Sequence, residues 1–410
     1  MKLLYDFTVF VASLLLPIAA VFNKKIKLFV AGRKETFSKI SKLRNKKTLW
    51  FHVASLGEFE QARPIIEPLK KKYPDYKILV TFFSPSGYEI RKKYDLADVV
   101  CYLPLDSKLN AKKFVELVNP ALAIFIKYEF WPNLLGALKK KEIPTILVSG
   151  IFREKQVFFK YYGRFMRNSL KAFHHFFVQD KNSKQLLSTI HFQNVSIVGD
   201  TRFDRVSEIL EQDNSLDFIQ RFKDNKYTIV AGSTWQEDEA LFVNYINNVA
   251  SEAEKFIIAP HNIKKDSILE IQKSIHKKAV LFSEKSNKNL KEYQVFIIDT
   301  IGLLTQIYAA ADAAYVGGGL KTGLHNILEP AVFGIPIVIG NKYDKFKEAV
   351  DLVDFRGCIS IESQEEFTSL LQKLKNEPSY RKSTGDINAK YIQENLGATQ
   401  SILKWVEQKI

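Results

Sequence analysis

Short apolar runs recur along this 410-residue chain, each followed by a stretch of helical periodicity, and that alternation limits the possible folds more than any other feature. The run Ala121-Leu-Ala-Ile-Phe-Ile126 has no polar side at all. A strand of this kind is covered on both faces, the condition of a parallel sheet sandwiched between helices. Thr48–Ala54, Lys77–Phe83, Ala121–Ile126, Pro144–Ser149 and His174–Gln179 read as strands, with Glu58–Lys72, Pro85–Tyr94, Trp131–Lys141 and Lys181–Thr189 as helices between them. A polar, charged stretch from Gly199 to Lys226 interrupts the rhythm. It resumes with Tyr227–Gly232, Lys255–Pro260, Gln294–Asp299, Asp312–Gly317 and Ile335–Gly340. The spacing predicts an α/β chain of two doubly wound, Rossmann-like domains facing a cleft, the usual home of a nucleotide and a second substrate. The expected divisions are an N-terminal anchor at 1–22, a basic segment at 23–47, a first domain at 48–205, a linker at 206–226 and a second domain at 227–410. The last helices, Tyr380–Asn395 and Thr399–Lys409, are candidates to pack back across the cleft onto the first domain.

The N-terminus narrows the setting. Phe7–Phe22 carries no charge and falls a little short of the ~20 residues of a comfortable membrane span. A cleaved signal peptide has its positive charge before the apolar run; here the basic cluster follows it. The segment therefore reads as an uncleaved membrane-anchor helix with a cytoplasmic basic collar, against the alternative of a buried core helix. Ten basic residues between Asn23 and Lys47 stand against one acid, Glu35, which places nine of the chain's fifteen net positive charges in this block. A nucleic-acid-binding protein would spread such charge in a stripe with aromatic platforms, so the excess points to anionic lipid and phosphorylated substrates instead. Cys101 and Cys358 are the only cysteines and lie in strand-like runs, which argues against a disulfide framework or a thiolate metal site.

Three stretches carry candidate chemistry. In Phe51-His-Val-Ala-Ser-Leu-Gly-Glu-Phe59 a strand turns into a helix with an acid in its first turn. Glu58 is either a favourable helix-starting carboxylate or a general base at the carboxyl edge of the sheet, where open α/β folds bind ligands. Val316-Gly-Gly-Gly-Leu-Lys-Thr-Gly-Leu-His-Asn-Ile-Leu-Glu-Pro330 places a glycine turn after a strand. A helix expected near Thr322 or His325 would offer free amides to a phosphate, and Glu329 would accept from a ribose. The stretch lacks the dinucleotide and P-loop spacings. Ala231-Gly-Ser-Thr234 repeats the strand-turn-helix pattern, with Ser233 or Thr234 suited to cap the helix or touch a ligand. Arg202, at the domain boundary, is placed to reach an anion. His52, His261 and His325 fall at strand or helix ends without metal-binding spacing.

Together these motifs resemble the 3-deoxy-D-manno-octulosonic acid (Kdo) transferases of lipopolysaccharide synthesis, membrane-associated glycosyltransferases of GT-B fold. The resemblance runs nearly the whole chain, in order: Gly32-Arg-Lys34, His52–Glu58, Glu129-Phe-Trp-Pro-Asn-Leu134, Gly199–Asp204, Ala231–Thr234, Gly317–Leu320 and His325–Glu329. It implies that Glu58 is the base that activates a hydroxyl of the lipid A precursor (lipid IVA) against CMP-Kdo, with inversion and with no metal or cofactor. The transition-state-stabilising positions fall on Arg202, usually Lys in the family, and on Lys127, where the family carries an acid. Donor contacts fall on Pro260, His261 (commonly Arg), Ile301, Gly302, Leu303, Asn326, Ile327, Leu328 and Glu329, with Ser233, Thr234, Gly318 and Gly319 as further candidates. The implied location is the cytoplasmic face of the bacterial inner membrane. The competing readings are a UDP-sugar-dependent GT-B enzyme acting on a membrane lipid and a catalytically dead nucleotide sensor.

Overall fold

The computed structural model describes residues Met1–Ile410, which divide into two units: Met1–Arg205 with Asn395–Ile410, and Val206–Glu394. The first unit is built on seven strands: β1 (Thr48–Val53), β2 (Lys77–Phe82), β3 (Val99–Tyr102), β4 (Leu122–Ile126), β5 (Thr145–Gly150), β6 (His175–Val178) and β7 (Val195–Ile197). Every pairing is parallel, in the order β3-β2-β1-β4-β5-β6-β7. The second unit repeats the plan with β8 (Tyr227–Thr234), β9 (Glu254–Pro260), β10 (Ala279–Leu281), β11 (Val295–Ile297), β12 (Ala313–Val316), β13 (Ile337–Gly340) and β14 (Cys358–Ile361), ordered β10-β11-β9-β8-β12-β13-β14. The apolar runs behave as a two-sided burial pattern requires: β1 and β4 are buried at every residue. This is the GT-B architecture.

In each sheet the chain reverses its direction of winding once. That happens between β1 and β4 in the first unit and between β8 and β12 in the second. The loops leaving these neighbouring strands part to opposite faces and open a crevice at the carboxyl edge, which is where such sheets take ligands.

Three divisions expected from sequence change. The stretch 206–226 is not an open linker, because it contains the helix Asp217–Lys223, whose Ile219 and Phe222 are 1% and 0% exposed in the second unit's core. The second domain stops at Glu394, since the helix Ala398–Glu407 buries Ile402 and Val406 in the first unit's core. Asp204 fixes the entry to that helix by accepting from the amides of Gly397 and Thr399, both at 2.7 Å. The helix Pro378–Glu394 stays on the second unit, where Asn388 donates to the carbonyls of Ile335 and Gly357 at 2.7 and 2.8 Å. The basic segment 23–47 is also folded: Ile40 and Leu43 are buried in the first unit's core, and the Thr36 hydroxyl donates to the Tyr102 carbonyl at 2.9 Å. Ahead of it, helix α1 (Lys2–Phe22) is long and apolar enough to cross a membrane and buries none of its residues, which excludes the core-helix alternative. A single residue, Asn23, separates it from α2 (Lys24–Lys34).

Candidate active site

At the winding reversal of the first unit, β1 delivers Val53 and the chain passes through Ser55 into the helix Leu56–Lys72. Glu58 is the third residue of that helix, and its Oε2 accepts from the Ala54 amide. The carboxyl group is only 9% exposed. Burial pushes its pKa up to about 7; the Glu129 charge adds to the rise, while the Ala54 amide, His52 and Lys127 oppose it. An acid poised near neutrality suits proton abstraction.

The neighbouring strand supplies the surroundings. Lys127, directly after β4, adopts left-handed backbone geometry with φ of 60°, while its amide still bonds the Val148 carbonyl at 2.9 Å. That turn costs a non-glycine residue about 1–2 kcal/mol, and it directs Glu129-Phe-Trp131 back over the sheet edge. Glu129 is 8% exposed; its Oε2 accepts from His52 Nε2 and from Trp131 Nε1, each at 2.8 Å. On the other side of the ring, His52 Nδ1 lies 2.9 Å from the Thr81 hydroxyl, which takes the Trp50 indole N–H at 2.8 Å. All donors are satisfied when Trp50 donates to Thr81, Thr81 to His52 Nδ1, and His52 Nε2–H to Glu129. This relay holds a second carboxylate close enough to raise Glu58. Sequence reasoning placed His52 near the site without a partner, because the pair is separated by 77 residues in sequence and only the β1–β4 pairing unites it.

Arg202 lies in the helix Thr201–Ser207 and is clamped onto Asp200: Nε and Nη2 donate to Oδ2 at 3.0 and 2.9 Å. Burial alone would raise the Asp200 pKa, but the Arg202 ion pair and the Lys127 charge hold it below its ordinary value. Gln61 and Gln179 complete the seat with amide donors at 2.9 Å. The charge of Lys127 is thus felt at both Glu58 and Asp200.

The second unit's reversal point collects the expected donor residues. Ser233 takes left-handed geometry, φ 55°, where the β8–β9 register slips, and the Thr234 hydroxyl donates to Glu239 at 3.1 Å. From the neighbouring strand, Gly317 and Gly319 pack so closely that an added Cβ would lie 2.4 Å from the Ser233 carbonyl or 2.8 Å from the Gly340 nitrogen. The Gly318 amide is committed to Asp238 at 2.9 Å, so this amide has no place for a ligand. The expected helix near Thr322 or His325 begins only at Leu328 and makes a single turn to Ala331, since Asn326 caps the Leu328 amide at 3.1 Å. Ile327 and Leu328 turn their side chains into the core at 1% and 0% exposure, leaving backbone alone to meet a donor. Glu329 accepts from the Thr305 hydroxyl at 2.8 Å and from the Asn326 amide group at 3.0 Å. Ile301 is 80% exposed, and Gly302 beside it has φ of 92° with open space where a Cβ would stand. Leu303 caps the short helix Leu304–Tyr308 that carries Thr305.

His261 follows Pro260 at the end of β9 and stacks on Trp235, ring centroids 4.5 Å apart. The Trp235 indole donates to His325 Nε2 at 3.1 Å. Burial lowers the pKa of both histidines; for His325 burial and the adjacent His261 bring it to about 4. Burial thus favours the neutral form of the His261 imidazole.

Paired carboxylates on one unit and a glycine-walled cradle on the other each lie at the reversal point of a parallel sheet, on a fold of GT-B architecture. Solved structures share the fold: UDP-GlcNAc 2-epimerase from Neisseria meningitidis has a TM-score of 0.61 at 14% identity, covering 88% of this chain and 100% of that one. MurG of Acinetobacter baumannii has a TM-score of 0.55 at 10% identity, covering 88% and 99%. A family profile described as 3-deoxy-D-manno-octulosonic-acid transferase (kdotransferase) matches residues 31–205. Curated proteins named 3-deoxy-D-manno-octulosonic acid transferase are similar over most of the chain. That of Haemophilus influenzae is 29% identical, covering 87% of this chain and 85% of its own length, and that of Aquifex aeolicus is 28% identical, covering 88% and 96%. Residues 31–205 thus match a Kdo transferase domain, and the similarity of the chain to Kdo transferases over most of its length supports a glycosyltransferase.

Proposed function

We propose that the protein transfers Kdo from CMP-Kdo to a hydroxyl of the lipid A precursor (lipid IVA), with inversion, at the cytoplasmic face of the inner membrane. The observation that carries this is the pair Glu58 and Glu129: one carboxyl group is brought to about 7 by burial and by the charge of the other. Glu58 takes the hydroxyl proton as the oxygen attacks the anomeric carbon of Kdo. The bond from that carbon to the CMP phosphate breaks, and its electron pair leaves with CMP. Developing negative charge is met by cations: Arg202, oriented by its clamp on Asp200, and Lys127, whose charge reaches Glu58. CMP departs as a phosphate monoester, a weaker demand on a divalent ion than a sugar pyrophosphate makes. On the second unit, the Asn326–Glu329 backbone and the Glu329 carboxylate would hold phosphate and ribose, with Gly302 admitting close backbone approach.

The test is transfer by the purified full chain onto tetra-acylated lipid A precursor, with CMP-Kdo generated in place and UDP-N-acetylglucosamine as the rival donor. Mass shifts report which sugar is added and how many times. Addition from CMP-Kdo alone supports the reading; addition from the UDP donor, or from neither, refutes it.

A further inference from the structure

The two ends of α1 are held on the same side of the first unit. At its start, the Tyr5 hydroxyl donates to Asp106 at 2.7 Å, Asn133 donates to Asp6 at 3.0 Å, and Lys108 pairs with Asp6 at 2.9 Å. Just past its end, α2 returns to the body: the Phe29 ring meets Phe83 edge-on at 5.4 Å, and Arg33 donates to the Phe83 carbonyl at 2.9 Å. Asp106, Asn133 and Phe83 all follow strands of the first sheet, after β3, β4 and β2, so both attachments lie on its carboxyl edge.

These attachments decide the helix's relation to a membrane. From Asn23 to the docked Phe29 is six residues of helix, about 9 Å of rise, and no more than about 20 Å even if fully extended. A hydrocarbon core is about 30 Å thick. With Tyr5 and Asp6 docked at one end and α2 at the other, neither end of α1 can emerge on the far side of a bilayer from the body. Yet α1 presents Leu3, Phe7, Leu14, Ile18 and Phe22 between 56% and 86% exposed, and Lys24, Lys25 and Lys27 stand exposed immediately after it. Long apolar side chains along a helix, with a cluster of cations at the same level, match the boundary between acyl chains and anionic headgroups.

We propose that α1 and α2 form a hairpin lying in the plane of one membrane leaflet, α1 sunk among the acyl chains and the lysine turn on headgroup phosphates, so that the anchor lies in the membrane surface and does not span it. The proposal commits to an anionic phospholipid surface as the occupant, and it rests on the reading of the protein as acting on a membrane lipid. It also gives the docking contacts a purpose. Asn133, which takes Asp6 at the foot of α1, belongs to the same turn as Trp131 and Glu129. The height of the Glu58 site above the lipid surface is thereby fixed by the chain itself.

The test uses the full chain with one added cysteine, since Cys101 and Cys358 are both 1% exposed and will not compete for label. Lys2→Cys at the start of α1, Leu14→Cys in mid-helix and Lys171→Cys as an exposed site on the body are treated with a membrane-impermeant maleimide while bound to sealed phosphatidylethanolamine–phosphatidylglycerol vesicles. An in-plane hairpin labels Lys2→Cys without detergent, within about two-fold of Lys171→Cys, and slows Leu14→Cys by about ten-fold or more relative to protein without vesicles. Protection of Lys2→Cys until detergent is added would show a span and overturn the proposal. Unslowed labelling of Leu14→Cys on vesicles, or slowing that instead follows protein concentration in their absence, would assign the apolar face to a second copy and overturn it equally. The readout needs no turnover, so a protein that labels as expected but adds no Kdo refutes the enzymatic reading and leaves the hairpin standing.

Discussion

Replacing Glu58 with Gln tests the buried carboxylate through stability as well as catalysis. The folded chain holds the Glu58 proton up to about 7, whereas an unburied Glu loses its proton near 4.5. An acid raised in this way stabilises the fold only while protonated, so its contribution is lost as pH rises from the unfolded value through the folded one. The displacement corresponds to about 3 kcal/mol at full ionisation and to less than about 1 kcal/mol at pH 5, where the folded group remains neutral. Gln keeps the shape, can still accept from the Ala54 amide and carries no charge. The variant is therefore expected to match wild type near pH 5 and to exceed it by up to about 3 kcal/mol near pH 9, which for a unit of this size raises its melting temperature by up to about 10 °C. Calorimetry at both pH values reads the difference, and a transfer assay on the same samples is expected to show no product. A melting difference that fails to widen with pH, or a variant less stable at high pH, refutes the argument that burial raises this group. Near-normal turnover removes Glu58 from the role of base.

The relay behind Glu58 makes its own predictions. Glu129→Gln removes the like charge and should move the acidic limb of the kcat/KM profile down by about one pH unit, the direction expected when a neighbouring anion is lost; an unmoved limb would disconnect the two acids. Thr81→Val strips a hydroxyl that serves both Trp50 and His52, and should cost about 1–3 kcal/mol in denaturant unfolding of the first unit. Ile402→Ala, which empties a fully buried site in the same unit's core, should cost about 2–5 kcal/mol there. CMP binding by the Ile402→Ala protein is expected to be unchanged, because the donor cradle lies on the other unit, and a weakened affinity would contradict that division.

The interior strands were legible because two-sided burial leaves a continuous apolar signature. The four strands that the pattern did not announce, β3, β7, β10 and β14, are the four sheet edges. They are three or four residues long, with fewer neighbours to demand a long apolar run. Among the site residues, Glu58 stood out because a strand, a glycine and a helix start lie together in sequence. That Glu129 and His52, each noted on its own, pair beside it was not legible, since nothing local records which strand follows β1 across the sheet. The cradle was misjudged in the same way: Asn326 competes for the amide that a longer helix would have left free, a side-chain contact that periodicity does not see.

The sequence alone therefore determined the two parallel α/β units, the anchor's apolar character, the basic excess and the position of the one acid that begins a helix at a sheet edge, because each is written in residues a few positions apart. The tertiary structure decided which acids meet, which unit the last helix completes and that α1 is tethered at both ends. Those depend on contacts between segments from 50 to more than 300 residues apart, where closing the chain costs entropy that only the packed fold repays.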